Sequence, residues 1–255
     1  MFFDTHAHYD DQKFDEDRET LLASLPEQSI SLVLNPGCDI ETSKIAISLA
    51  DRFEHVYAGV GIHPSECGGL DLNTTISELE NLSNHPKVKA IGEIGLDFYW
   101  EENPSPEIQE EFFHAQMALA KKLKLPVIIH DREAHKACLD IVQQYDVSGV
   151  YHCYSGGVDH AKILIDRGWM LSFTGVITYK NARKTLEVLD FLPIEHIMLE
   201  TDSPYLAPVP FRGKRNDSRY LPHIAQVVAD CKGISLEECA KITKDNGKRF
   251  FHIEK

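Results

Sequence analysis

No stretch of this sequence stays apolar long enough to cross a bilayer. The densest runs, such as Pro126-Val127-Ile128-Ile129, are cut by charged residues far short of the roughly 18 that a span requires, and the mean hydropathy is −0.26. Met1-Phe2-Phe3-Asp4-Thr5-His6 lacks the basic region, apolar run and small-residue cleavage site of a secretory leader, so a cytoplasmic protein with no membrane partner is expected. The six cysteines, at 38, 67, 138, 153, 231 and 239, offer no C-x-x-C spacing, which excludes a zinc ribbon or dithiol redox motif and leaves reduced thiols as the expectation. Glycine-rich phosphate loops are missing too. No G-x-G-x-x-G follows a strand, and Gly213-Lys214 lacks the earlier glycine of a Walker A loop, so no nucleotide cofactor is expected. Tyr154-Ser155-Gly156-Gly157 is not a nucleophile elbow. Positive charge is also scarce: 26 Lys and Arg face 40 Asp and Glu, a net −14, which excludes nucleic-acid binding through a general basic surface but not through a local site.

What is present is a repeating grammar. Short apolar runs at 2–4, 31–35, 56–60, 88–92, 126–130, 149–152, 169–173 and 196–200 alternate with longer amphipathic segments. Successive runs begin 20 to 38 residues apart, enough for a crossover helix each, and such crossovers join parallel strands. Eight units in 255 residues predict a single (β/α)8 TIM-type barrel over 1–255 with extra C-terminal helices; an open doubly wound sheet is the alternative. Ser105-Pro106 predicts the start of a helix along which apolar residues repeat at Ile108, Phe112, Ala115, Leu119 and Leu123. After the last strand a polar loop runs to about Asn216, and Ser235-Leu236-Glu237-Glu238 is a capping box opening the final helix.

Thirteen histidines are the outlier, and five of them fall at predicted strand ends, where a barrel gathers its functional groups. The first strand leads to His6 and His8, the third to His63, the fourth to Glu93, the fifth to His130, the sixth to His152, and the eighth to Glu200 and Asp202. In an extended segment His6 and His8 project to the same side and can share one ion. Imidazole with carboxylate is the ligand set of zinc, manganese or iron, whereas magnesium prefers oxygen. The metal-ligand candidates His6, His8, Glu93, His130, His152 and Asp202 exceed the needs of one tetrahedral ion; two divalent ions sharing a carboxylate would use them all. Glycines flank Glu93, whereas Asp97 reads equally well as a helix cap. Asp202, followed by Ser203-Pro204, is left at the rim, where it is placed to take a proton from an attacking water, with Glu200 behind it. Cys153 is expected to face the helices, since neighbours in a strand point to opposite sides. The one basic patch, Phe211-Arg212-Gly213-Lys214-Arg215-Asn216, points to an anionic substrate held by Arg212 and Arg215.

Seven segments, in order, resemble the motifs of the TatD family of metal-dependent deoxyribonucleases, a branch of the amidohydrolase-like barrels. They are Asp4-Thr5-His6-Ala7-His8, Gly61-Ile62-His63-Pro64, Gly92-Glu93-Ile94-Gly95-Leu96-Asp97, Pro126-Val127-Ile128-Ile129-His130, His152-Cys153-Tyr154-Ser155-Gly156, the run from Leu199 to Pro208, and Arg212-Gly213-Lys214-Arg215-Asn216. The resemblance implies that His6, His8, Glu93 and Asp202 hold one divalent ion (zinc, manganese or magnesium), that Glu93, His130 and His152 hold a second, and that Glu93 bridges. It also implies a phosphodiester substrate, exonucleolytic attack on DNA, and phosphate held by His63 with Arg212 or Arg215. Two positions depart from the family pattern: Ser65 stands where many members have another His, and Asp217-Ser218-Arg219 replaces a Glu-Pro continuation. Hydrolysis of a carboxylic ester or amide, such as an acylated nucleotide or RNA, needs the same ions and is the competing enzymatic reading. A partner-binding barrel with structural ions is the non-enzymatic one.

Overall fold

The computed structural model describes residues 1–254. Among them are eight strands: β1 (Phe2–Asp4), β2 (Ile30–Pro36), β3 (Val56–Val60), β4 (Val88–Asp97), β5 (Val127–Arg132), β6 (Gly149–Tyr151), β7 (Met170–Phe173) and β8 (Ile197–Leu199). They alternate with α1 (Arg18–Ser24), α2 (Ile40–Arg52), α3 (Leu72–Leu82), α4 (Pro106–Leu123), α5 (His135–Val142), α6 (Val158–Asp166) and α7 (Arg183–Phe191); α8 (Leu221–Lys232) and α9 (Leu236–Phe250) follow β8. The strands are hydrogen-bonded in chain order from β1 to β8. Thr5 N–H then donates to the Leu199 carbonyl at 3.1 Å, joining the end of β1 to β8. Sequential order is that of the (β/α)8 barrel and not of a doubly wound sheet. No helix among the described residues is long and apolar enough to cross a membrane.

Two compact units divide the chain. One comprises Met1–Asn35, Phe53–Val56 and the part from Cys153 onward; the other comprises Pro36–Arg52 and Tyr57–His152. In the first, Phe3 packs on Phe251 with ring centroids 6.0 Å apart, so the last helix covers the first strand; Trp169, Leu171 and Phe173 are buried around β7. In the second, Ile91, Ile94, Ile128 and Ile129 of the strands and Phe113 and Met117 of α4 are buried. Parallel strands covered on both faces read as continuous apolar runs, which is why the eight were recognisable.

The bounds shift where glycine reads as punctuation. β4 runs to Asp97, five residues past Gly92. Gly95 has φ +142°, and a Cβ there would overlap the His130 carbonyl, so glycine serves the close approach of β5 rather than a break. The apolar repeat of α4 is only part of its buried face: Ile108 is 38% exposed, while Gln109, Phe112, Phe113, Gln116, Met117, Leu119 and Ala120 are buried. The two buried glutamines are bonded to backbone, which apolar periodicity cannot reveal. Ser235 caps α9 as its sequence predicts, accepting the Glu238 N–H at 3.1 Å.

Candidate active site

In the first unit, His6 and His8 lie just past β1. Their backbones are pinned to the turn after β8: Asp202 N–H donates to the His6 carbonyl at 2.9 Å and His8 N–H to the Ser203 carbonyl at 2.7 Å. Both imidazoles therefore converge. Their Nε2 atoms are 2.9 Å apart, and Asp202 Oδ1 lies 3.8 and 3.7 Å from them. A point equidistant from the three atoms lies about 2.0 Å from each, the length of a zinc–imidazole bond. His6 is fully buried, whereas the side chains of His8 and Asp202 are 10 and 16% exposed, so Asp202 is the most solvent-accessible of the three.

The second unit holds a parallel arrangement. Glu93 Oε1 lies 2.8 Å from His130 Nδ1 and 2.9 Å from His152 Nε2, and those two nitrogens are 3.3 Å apart. An equidistant point lies about 1.8 Å from each, so an ion slightly off their plane meets all three at bond length. Both donor sets fit a divalent transition ion by ligand type and spacing.

Neighbouring groups set the protonation of these side chains. His130 Nε2 lies 3.1 Å from Asp97 Oδ2, a bond that fixes the ring and turns Nδ1 toward Glu93. Burial works against a charged His130, but Asp97 and Glu93 outweigh it and raise its pKa. Asp97 in turn is lowered, because the His130 contacts outweigh the burial that would raise it. His63 Nε2 lies 3.7 Å from Glu93 Oε1. Burial, with His130 adding to it, pushes His63 down to about 3, so the ring is neutral. Its Nδ1 accepts the Ser65 N–H at 3.1 Å, which leaves the remaining proton on Nε2, facing the cluster. Ser65, one of the departures from the family pattern, also brings its hydroxyl to 2.7 Å from the same nitrogen.

Several contributors escaped the sequence reading. Asp4, fully buried, accepts from Thr201 N–H at 2.9 Å, Thr201 Oγ1 at 2.6 Å and Ser218 Oγ at 2.6 Å, and burial pushes its carboxyl up to about 7. Asn216 Nδ2 donates to the carbonyls of Thr201 and Tyr205, bracing both sides of Asp202. Gln116 clamps the backbone of Ile62, beside His63, by accepting its N–H at 2.7 Å and donating to its carbonyl at 3.1 Å. Gln109 does the same for Asp97 at 2.9 and 3.1 Å. A polar residue inside an apolar helical face is the one signal that could have flagged the glutamines.

Other expected residues have different surroundings. Glu200 is buried and accepts from Cys153 N–H and Ser172 Oγ, both at 2.6 Å, so it holds the chain immediately after His152. Cys153 corrects an expectation. β6 ends at Tyr151 and Cys153 has φ 43°, so strand alternation does not orient it; its Sγ lies 3.4 Å from Thr174 Oγ1 and the residue is only partly buried. In the basic loop, Arg212 is exposed with its guanidinium 4.3 Å from the Tyr179 ring centroid. Arg215 is half-buried, bidentate to Asp17 at 2.7 and 2.6 Å and over the Phe14 ring. The pair lowers the Asp17 carboxyl, chiefly through the bond from Arg215.

A (β/α)8 fold with imidazole and carboxylate donors gathered just past its strand ends defines a metal-dependent hydrolase. The profile of the family described as TatD related DNase matches residues 3–252, and the chain belongs to that family. It is 37% identical over 257 residues to the uncharacterized metal-dependent hydrolase YabD of Bacillus subtilis, covering 99% of this chain and all of that one. It is 31% identical to the uncharacterized metal-dependent hydrolase TatD of Mycobacterium tuberculosis, covering 98% and 97% of the two chains. Among solved structures, the TatD homologue YJJV of Escherichia coli superposes with a TM-score of 0.92 at 28% identity, over 99% of this chain and 98% of that one.

Proposed function

We propose that this hydrolase is a phosphodiesterase acting on DNA as an exodeoxyribonuclease, with two divalent ions. His6, His8 and Asp202 would hold one ion and Glu93, His130 and His152 the other. Bound there, the ions would supply Lewis acidity and make a nucleophile of water near neutral pH. The chain's own residues do the rest. Asp202, the solvent-reaching carboxylate of its cluster, accepts the proton of the attacking water. His63, neutral with its proton on Nε2, donates to a phosphate oxygen without bringing a charge that would compete with the ions. Asp97 keeps the His130 ring in the tautomer that ligates.

The observation that favours a phosphate over a carbonyl substrate is Arg212. In a chain of net charge −14, its guanidinium rests on Tyr179 with no carboxylate within ion-pair distance among the described residues, on the loop that follows Asp202. An exposed, uncompensated cation is suited to an anionic substrate. Arg215, engaged by Asp17, supports the reading by fixing the loop that presents Arg212. The test is metal analysis of the purified protein beside a panel of end-labelled single-stranded DNA, RNA and acylated nucleotide substrates. Metal-dependent release of nucleotides from DNA is the expected result; turnover confined to the acyl substrates overturns the proposal.

A further inference from the structure

Beside the Glu93 cluster, the connection from β4 to α4 exposes three consecutive aromatic residues. Phe98, Tyr99 and Trp100 are 36, 51 and 47% exposed. Clustered aromatic surface of this kind marks a place of contact rather than ordinary solvent-facing scatter. The segment is held in place. Phe98 N–H donates to the Arg132 carbonyl at 3.0 Å, Tyr99 N–H to Asp97 Oδ1 at 3.0 Å, and Asn103 Nδ2 to the Asp97 carbonyl at 3.2 Å. The Tyr99 and Trp100 rings are perpendicular with centroids 4.8 Å apart. Above them lies the Arg132 guanidinium, 4.0 Å from the Tyr99 centroid and 5.1 Å from that of Trp100.

Arg132 is the informative member. No carboxylate lies within ion-pair distance of it among the described residues, although acidic residues outnumber basic ones 40 to 26. Its Cα is paired with that of Asp97 across β4 and β5, and His130 lies two residues back on the same strand. Residues two apart in a strand point to the same side. The ordered rings and the cation therefore sit one step along β5 from a proposed metal ligand, and Asp97 ties both together: one of its oxygens meets His130 and the other receives Tyr99. An apolar protein partner would leave the charge of the guanidinium over the rings unmatched. A nucleobase would, since aromatic faces and arginine planes are what stack unpaired bases, and the same charge attracts the phosphate.

We propose that Tyr99, Trp100 and Arg132 form a stacking subsite for an unpaired nucleobase of a single-stranded substrate. This rests on the phosphodiesterase reading, yet it is read out separately. The chain has two tryptophans, and Trp169 is 1% exposed, so Trp100 fluorescence is a direct reporter that needs no turnover. The full-length protein, free of divalent ions, is titrated with a phosphorothioate-linked single-stranded oligonucleotide and with an abasic strand of equal length and charge. Quenching by the base-bearing strand with little response to the abasic one is expected, with the response lost in Trp100→Ala. With metal restored, the kcat/KM preference for base-bearing over abasic strand falls about tenfold in Trp100→Ala and in Tyr99→Ala, and is retained in Trp100→Phe, which keeps an aromatic face. Equal quenching by the two strands, or an unchanged preference in both alanine variants, overturns the subsite. Quenching specific to bases in a protein that cleaves no phosphodiester would leave the subsite standing and remove the nuclease reading instead.

Discussion

His130 and Asp97 are joined by a 3.1 Å contact between Nε2 and Oδ2, across two strands whose sequence positions are 33 apart. The other ring nitrogen faces Glu93, so the bond fixes which nitrogen the proposed metal cluster would use. Asp97→Ala is expected to weaken divalent-ion affinity about 10- to 100-fold, measured by competition with a chelator, with near-normal circular dichroism. Unchanged affinity would mean that Asp97 only anchors its loop.

Glu93→Gln and His130→Ala should each lose at least about 10²-fold in turnover while remaining folded, since they remove donors rather than core volume. Metal content and thermal unfolding are measured with the rate. Near-normal turnover in either variant counts against the assigned cluster.

Asp202→Asn keeps shape and one oxygen donor but removes basicity. Metal occupancy should fall modestly and kcat steeply, and the acid limb of the kcat profile should change shape. Full turnover with full metal content would place the proton acceptor elsewhere.

The two loop arginines should behave differently. Arg212→Ala is expected to raise KM more than it lowers kcat and to flatten the salt dependence of binding, because it deletes a cation available to phosphate. Arg215→Ala should instead cost stability, about 1 kcal/mol or less given the partial exposure of its pair with Asp17. The lowered Asp17 pKa sets the sign with pH. A depressed carboxyl contributes stability above its unfolded value, near 3.8, and loses it as pH falls through the folded value. Arg215→Ala should therefore narrow the stability gap to wild type in acid and show it in full near neutrality, as read by urea midpoints. A KM effect of Arg215→Ala equal to that of Arg212→Ala would instead make both direct contacts.

The barrel was legible because eight apolar runs recur at crossover spacing, and the histidines and carboxylates that the structure brings together were legible because they recur at the ends of those runs. What remained hidden were positions whose partners are backbone groups far along the chain. Asp97 looked like a helix cap because nothing local says that His130 lies beside it. Gln109 and Gln116 interrupt an apolar face for the sake of carbonyls and amides at the ends of neighbouring strands, while the apolar Ile108 is exposed. Arg215 and Arg212 share one basic motif, yet Asp17 and Phe14, roughly 200 residues upstream, hold Arg215 alone.

The paired glutamines of α4 also constrain how this chain can change in length. They sit seven residues apart, two helical turns, and each amide meets both the N–H and the carbonyl of one residue at or just past a strand end. A single residue inserted between them would turn one amide by about 100° relative to the other, so that no rotation of the helix could seat both. An insertion beyond Lys124, where the helix has already ended, leaves both seated. Deletions and insertions in α4 are thus filtered by the strand ends at Ile62 and Asp97 rather than by the helix itself, and the seven-residue interval acts as a ruler.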